Sequence, residues 1–313
     1  MRASFAPLLG LLLTLLAVAP PVAAQPTAAQ SEAIQPAGLQ AAIAKSNAYI
    51  GLMNRTLRAQ ESWSRYGSWV DVRKGPTGKE RIVYGLYGLY DVRGEIAAAE
   101  KAIGSEPVWP ELDATVARYI AAYQALAPLI SEAEGYYDRK DYLADKMAGG
   151  KALHARLLPA AQTFLAERAT FERDMAVVKS DLDRAELDAI EASEGRKARW
   201  HVRRVMMEAR AVMDLVPTNA APRVHMPGFD AALDRYALAV KEIDGYARAN
   251  PGSLHVFESR PRELLGKLRE MREKLARAKG DARKAGVGFD LTWIVNDFNM
   301  MVSTAETALR FTR

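Results

Sequence analysis

Glu263-Leu264-Leu265-Gly266-Lys267-Leu268-Arg269-Glu270-Met271-Arg272-Glu273-Lys274-Leu275-Ala276-Arg277 is the stretch on which the fold class turns. Leu264, Leu268, Met271 and Leu275 alternate at spacings of four and three, which lines them up on one side of an α-helix as a seam for another helix. Glu263 and Lys267, Glu270 and Lys274, and Glu273 and Arg277 stand four residues apart, predicting outward ion pairs within that helix. A coiled-coil-like helical arm over 260–284 is expected. The same helical spacing recurs through most of the chain, and no run of strict apolar–polar alternation is bounded by hairpin turns.

Toward the N-terminus, the pattern predicts helices over 228–250, ended by Asn250-Pro251-Gly252, and over 196–216. Pro217, Pro222 and Pro227 mark the loop between them, the expected boundary if the body has two halves. Further helices are expected over 139–192, bent at Gly149-Gly150, and over 110–135 and 81–104. Helix one, over 38–69, repeats Ile43, Ile50 and Leu57 every seven residues. Asn47 and Asn54 follow on the same side, either to bond neighbouring helices or to hold a ligand. The last helix is expected to start at Asp290 as N-cap, with Phe289 stapled to Ile294. The sum is an elongated antiparallel all-α bundle of seven or eight helices.

Before the helices stands a leader. Arg2, the apolar run Leu8 to Val18 and Val22-Ala23-Ala24 form the three parts of a secretory signal, with cleavage expected after Ala24. The apolar run is too short for a membrane span, which needs about 20 residues. Residues 25–36 form a small, polar, proline-punctuated tether, and residues 37–313 a single helical domain. The 313-residue chain has no cysteine, so no disulfide, thiolate metal site, cysteine nucleophile or lipid on an N-terminal cysteine is available. The formal charge of +5 is too small to imply nucleic acid as a partner.

Four features carry candidate chemistry. Gly75-Pro76-Thr77-Gly78 lacks the spacing of a phosphate loop and is a plain turn. Tyr84-Gly85-Leu86-Tyr87-Gly88-Leu89-Tyr90 spaces three tyrosines by three, for core packing or as a platform for a glycan. Tyr136-Tyr137-Asp138-Arg139-Lys140-Asp141-Tyr142-Leu143-Ala144-Asp145, continuing to Lys151 and His154, is the densest polar and aromatic tract. Asp138, Asp141 and Asp145 on one helical face would offset a helix dipole or hold a hard cation, with His154 on the opposite face unless Gly149-Gly150 breaks the helix. Last, the acid-rich run 181–194 is followed by Arg196, Arg199, Arg203 and Arg210, which fall within about 60° on a helix. That basic stripe would meet anionic lipid or a wall polymer, or pair with the acids across a hairpin at Ser193 to Gly195. His154, His201, His225 and His255 are scattered, with no zincin spacing or nucleophile elbow.

Tyr136-Tyr137, Lys140-Asp141-Tyr142, Asp145, Gly150-Lys151 and Leu153-His154 together resemble the YiiG-like family of uncharacterised bacterial envelope proteins. Asn47-Ala48-Tyr49-Ile50, Gly75-Pro76-Thr77-Gly78, Phe298-Asn299 and Met301-Val302 add to the resemblance. It implies an exported, mostly helical protein and no catalytic residue. Family members are often lipoproteins held by a modified cysteine, which this chain lacks. The expectation is a periplasmic or secreted, non-enzymatic interaction or scaffold protein without cofactor or metal, acting on an envelope protein or cell-wall component. The alternative is a module for a small envelope ligand, glycan or cation, bound by Tyr84, Tyr87, Tyr136, Tyr137, Asp141, Tyr142, Asp145, Lys151 and His154. A hydrolase would need Glu134, Asp141 and Asp145 in a deep pocket.

Overall fold

The computed structural model describes residues 36–218 and 221–311, so the leader and nearly all of the tether lie outside it. Among the described residues the chain is all-α, with a single isolated backbone bridge between Arg223 and Asp281. Among the described residues nine helices have eleven or more residues: α1 (Pro36–Arg55), α2 (Leu57–Gly67), α3 (Arg93–Ile103), α4 (Pro110–Asp138), α6 (Ala148–Glu194), α7 (Ala198–Met213), α8 (Met226–Ala249), α9 (Arg260–Arg277) and α11 (Gly288–Phe311). Two single turns, α5 (Tyr142–Asp145) and α10 (Ala282–Ala285), complete the set. None of the described helices is long and apolar enough to cross a membrane.

The chain forms two compact units, and the division falls inside α6, between Leu182 and Asp183, rather than in the 217–227 loop. That loop belongs to the second unit, because its backbone is tied down there. Val224 N–H donates to Gly280 O at 2.9 Å and Ala282 N–H to Pro222 O at 2.8 Å.

In the first unit, α1 and α2 run alongside α4 and against the first part of α6. Tyr49 meets Phe171, Met53 O receives Arg168, and Tyr66 meets His154, an antiparallel series. Predicted helix one is interrupted at Thr56, whose hydroxyl donates to Leu52 O and pairs with the Tyr119 hydroxyl of α4. Its buried face is Leu39, Ala42, Tyr49, Leu52, Ala59 and Tyr66, while Ile43, Ile50 and Leu57 are only half-buried. Asn47 and Asn54, rotated further outward from those half-buried positions, are exposed and neither fix register nor line a site.

The second unit is an up-and-down bundle of α7, α8, α9 and α11 around one apolar core. Ion pairs Arg204–Glu242, Arg272–Asp230 at 2.9 Å and Lys274–Asp290 at 2.8 Å establish that successive helices are antiparallel. Leu264, Leu268, Met271 and Leu275 are all fully buried, as their spacing predicts. The helix carrying them is a bundle member packed against α8 and α11, not an arm. The charges between them behave differently from expectation. Lys267 and Lys274 reach across to Asp297 (2.6 Å) and Asp290 on α11 instead of pairing along α9, because a neighbouring helix presents carboxylates closer to their tips. Glu263 pairs with Arg260 instead, and Arg277 Nε donates to Glu273 O rather than to its carboxylate. Similarly, α11 starts at Gly288, before Asp290. Phe289 is 73% exposed and packs edge-on against Trp293 on the outside, while Ile294 is buried, so the expected staple does not form.

Candidate functional site

The Tyr136–His154 tract is broken, two residues before Gly149-Gly150. Lys140, Lys146 and Met147 all adopt left-handed backbone (φ 58, 53 and 72°), which ends α4, isolates the turn α5 and starts α6 afresh at Ala148. Both glycines lie inside α6. The new helix start needs its free N–H groups satisfied, and Asp145 does this: Oδ1 accepts from Met147 N at 2.9 Å and Oδ2 from Gly149 N at 2.8 Å. The Tyr136 hydroxyl donates to the same carboxylate at 2.8 Å. Burial works to raise the Asp145 pKa, but the N–H of Gly149, the Tyr136 hydroxyl and the N–H of Met147 outweigh it and hold the carboxyl below its ordinary value. Asp145 is therefore an ionised helix cap.

The other two aspartates do not join it. Asp138 is the exposed last residue of α4, and Asp141 pairs with Arg139 at 2.7 Å. The expected single face does not exist because the chain reverses at Lys140. Lys151 is exposed on α6. Among the described residues, no three histidine or carboxylate side chains are placed to hold a metal ion.

His154 goes into the interior instead. Its Nδ1 pairs with the Tyr66 hydroxyl at 3.0 Å, and its ring stacks on Tyr66 with centroids 5.8 Å apart. Gly75 covers another side so closely that a Cβ there would sit 2.6 Å from His154 Cδ2, and Gly75 has φ +78°, open to glycine at no cost. Tyr137, Trp69 and Tyr136 extend the cluster, with ring centroids 5.1 Å (Tyr137–Trp69) and 5.0 Å (Tyr136–Tyr137) apart, and Tyr142 borders it at 6.1 Å from Tyr137. Burial lowers the His154 pKa and raises that of Tyr137, so both are neutral in this packing. Chemically the tract is a packed aromatic clasp joining α2, the 71–79 loop, α4 and α6.

Tyr84 and Tyr87 lie elsewhere. Residues 81–92, expected as the start of a helix, form a non-helical strap along α2, and helix α3 begins only at Arg93. One stripe of α1–α2 feeds this strap with hydrogen bonds. Arg55 Nε donates to Asp91 O (3.2 Å), Arg58 Nε to Gly88 O (3.2 Å), Ser62 Oγ to Tyr87 O (2.9 Å), Arg65 Nε to Tyr84 O (3.0 Å) and Trp69 Nε1 to Gly85 O (3.0 Å). The same guanidiniums stack on the tyrosines: Arg55 over Tyr90 at 4.6 Å, Arg58 over Tyr87 at 4.1 Å, and Arg65 over Tyr87 at 4.4 Å. The strap is not helical, and Gly85 within it takes a left-handed φ of 67°. Arg55, Arg58 and Arg65, spaced by three and seven, share one side of the facing helices and were the readable signal.

The basic stripe is spent inside the second unit. Arg196 pairs with Glu191 at 2.8 Å, Arg199 with Glu194 at 2.5 Å and Arg203 with Glu186, across a hairpin turned at Gly195 with φ +75°. Arg210 is exposed beyond the acidic run. Three of its four members thus pair with acids at the end of α6 while staying 40–60% exposed.

A family model described as a protein of unknown function (DUF3829) matches residues 40–292. The chain belongs to the DUF3829 family. The protein named "Uncharacterized protein YiiG" of Escherichia coli (strain K12) is 32% identical over 178 residues, which is 55% of this chain and 50% of that protein. The chain thus spans about half the length of that curated relative. No solved structure matches.

Within the DUF3829 match lies a buried polar lock that neither spacing nor composition singles out. Lys45 Nζ donates to Asp113 Oδ2 (2.8 Å), Ser105 O (3.0 Å) and Pro107 O (3.0 Å), which uses all three of its protons. Tyr49 OH donates to Asp113 Oδ1 at 2.6 Å, and Trp109 N–H to Oδ2 at 3.1 Å. A second buried cation, Arg168, donates to Met53 O (2.9 Å) and Tyr119 OH (3.1 Å) and pairs with Glu172 at 2.9 Å. Each fastens α1 to another helix. With every partner a protein group, both are fastenings of the fold.

Proposed function

We propose that this DUF3829 member is an exported, non-catalytic interaction protein of the bacterial cell envelope that docks a partner helix on α11. One observation carries the proposal: Phe289 (73% exposed), Trp293 (49%) and Met300 (45%) present an outward apolar stripe on a helix whose opposite side fills the core. Phe289, Trp293, Asn296 and Met300 follow spacings of four, three and four, the pattern that accepts a second amphipathic helix. Lys267 covers one Trp293 face at 5.5 Å and leaves the rest open. Export is supported by the tripartite leader at residues 2–24. A non-catalytic role is supported by the uses already found for the candidate groups: Asp145 caps a helix, His154 is packed, and the arginines of the stripe are paired.

A photo-crosslinking residue placed at Trp293 in cells should capture a discrete partner from the envelope fraction. The same probe at exposed Leu143 should not. Equal capture at both sites, or capture unaffected by Phe289→Ser with Met300→Ser, would overturn the proposal, as would a chain that fractionates with the cytoplasm.

A further inference from the structure

An open groove of about 500 Å³ runs between α8 and α9, a volume in the range of small-ligand sites. Its floor is apolar, from Ala237, Val240 and Leu265, and its walls carry Lys241, Arg248, Arg262 and Arg269 against one carboxylate, Asp244. Asp244 pairs with Arg262 at 3.4 Å. Among the described residues Lys241, Arg248 and Arg269 form no ion pair, although Arg262 and Arg272 on the same face pair with Asp244 and Asp230; Arg269 also borders a neighbouring hollow lined by Asp230, Asp234 and Glu273. Four cations facing the single groove carboxylate Asp244 repel one another, and an anion in the groove relieves that repulsion.

The placement of the four is regular. On each helix the two cations are seven residues apart, about 10 Å along the axis. The pairs Asp244–Arg262 and Asp230–Arg272 run the two helices antiparallel, so Lys241 and Arg248 on one wall and Arg262 and Arg269 on the other set positive charge along both sides of the groove. A second feature keeps the channel open. Gly266 is an exposed mid-helix glycine with nothing within 4 Å of where a Cβ would stand, so no helix contact demands it. An unneeded glycine costs about 1 kcal/mol relative to alanine in a helix interior. Any larger side chain there would stand in the groove.

We propose that the α8–α9 groove is a binding site for a linear, phosphate-class polyanion, which lies along the floor past Gly266 and is held from both walls by Lys241, Arg248, Arg262 and Arg269. This site is independent of the α11 stripe. Arginine supplies bidentate contacts to phosphate oxygens, and the two-walled ladder of cations favours a chain of charges over a single ion.

Titration calorimetry of the mature chain with orthophosphate, pyrophosphate, tripolyphosphate and longer linear polyphosphates tests this. Affinity should rise with chain length until the ladder is spanned, with orthophosphate weakest. Arg248→Gln with Arg269→Gln should weaken the longest probe at least tenfold, and Gly266→Leu should do the same without changing charge. A control with the same charge change elsewhere, Lys79→Gln with Lys101→Gln, should bind within twofold of the parent. Equal loss in the control, no loss with Gly266→Leu in a chain of unchanged circular dichroism, or no heat with any probe would overturn the proposal.

Discussion

The Tyr66 hydroxyl and His154 Nδ1 lie 3.0 Å apart across 88 residues of sequence, and this contact closes the aromatic clasp of the first unit. It makes a histidine that sequence alone sets on the face opposite the aspartates into a neutral interior group.

The pH dependence of stability follows from that. Burial lowers the His154 pKa from its ordinary 6.5, so below that pH the unfolded chain binds the proton more readily than the folded one. Stability is therefore retained above pH 6.5 and falls as pH drops toward the folded value. Urea unfolding of the parent between pH 7.5 and 5 should show this decline, and His154→Phe should flatten it. The residual slope belongs partly to His201, whose pKa burial also lowers.

Gly75→Ala should destabilise the protein by about 2 kcal/mol, from a left-handed backbone position and a Cβ pushed into the imidazole. Gly104→Ala, at a site with open space and negative φ, is the matched control and should change stability by less than about 0.5 kcal/mol. Thermal or denaturant unfolding of the two side by side checks the difference.

The Lys45–Asp113 lock gives an asymmetric expectation. Lys45→Met strands a buried carboxylate and should cost about 3 to 5 kcal/mol. Adding Asp113→Asn removes the stranded charge and keeps one carbonyl acceptor where Tyr49 and Trp109 N–H used two oxygens, and should recover part of that loss. A double-mutant cycle with a purely additive result would show that the two side chains do not depend on each other.

Arg55, Arg58 and Arg65 hold the exposed side of the strap, beside the bonds from Ser62 and Trp69. Arg58→Lys retains charge but loses the planar stack on Tyr87 and the directed bond to Gly88 O, so it should loosen the strap nearly as much as Arg58→Ala. Chymotrypsin cleavage at Tyr84, Tyr87 and Tyr90 reports this directly. Both variants should be cut several-fold faster than the parent under conditions where the helices survive, and cutting at the parental rate would show the stack to be dispensable.

Much of the fold was legible because it is local. The four-and-three spacing of Leu264, Leu268, Met271 and Leu275 picks out a buried seam, and Asn250-Pro251-Gly252 stops a helix. The reversal from acid to base around Ser193 to Gly195 predicts a helical hairpin closed by its own charges, and Arg203 with Glu186 closes it. In each case the deciding interaction lies within a few turns of one helix or its immediate neighbour.

The candidate site was less legible, and the reason is visible in its residues. Asp145 reads either as an acid offsetting a helix dipole or as a cation ligand, and the left-handed Lys146 and Met147 decide it by starting a new helix that Asp145 caps. Tyr84, Tyr87 and Tyr90 read as a helical face until Arg55, Arg58 and Arg65 draw them out straight.

By itself the sequence determined an all-α chain, most helix limits, the turns at Gly75 and Gly195 and the α9 seam, since periodicity and backbone preference act over neighbouring residues. Only the tertiary structure decided where the polar groups went: Lys45 to Asp113, Lys267 to Asp297, His154 to Tyr66. A long polar side chain pairs with whatever stands within a few ångströms of its tip. For these residues that neighbour comes from a helix remote in sequence, so it is set by packing and not by spacing.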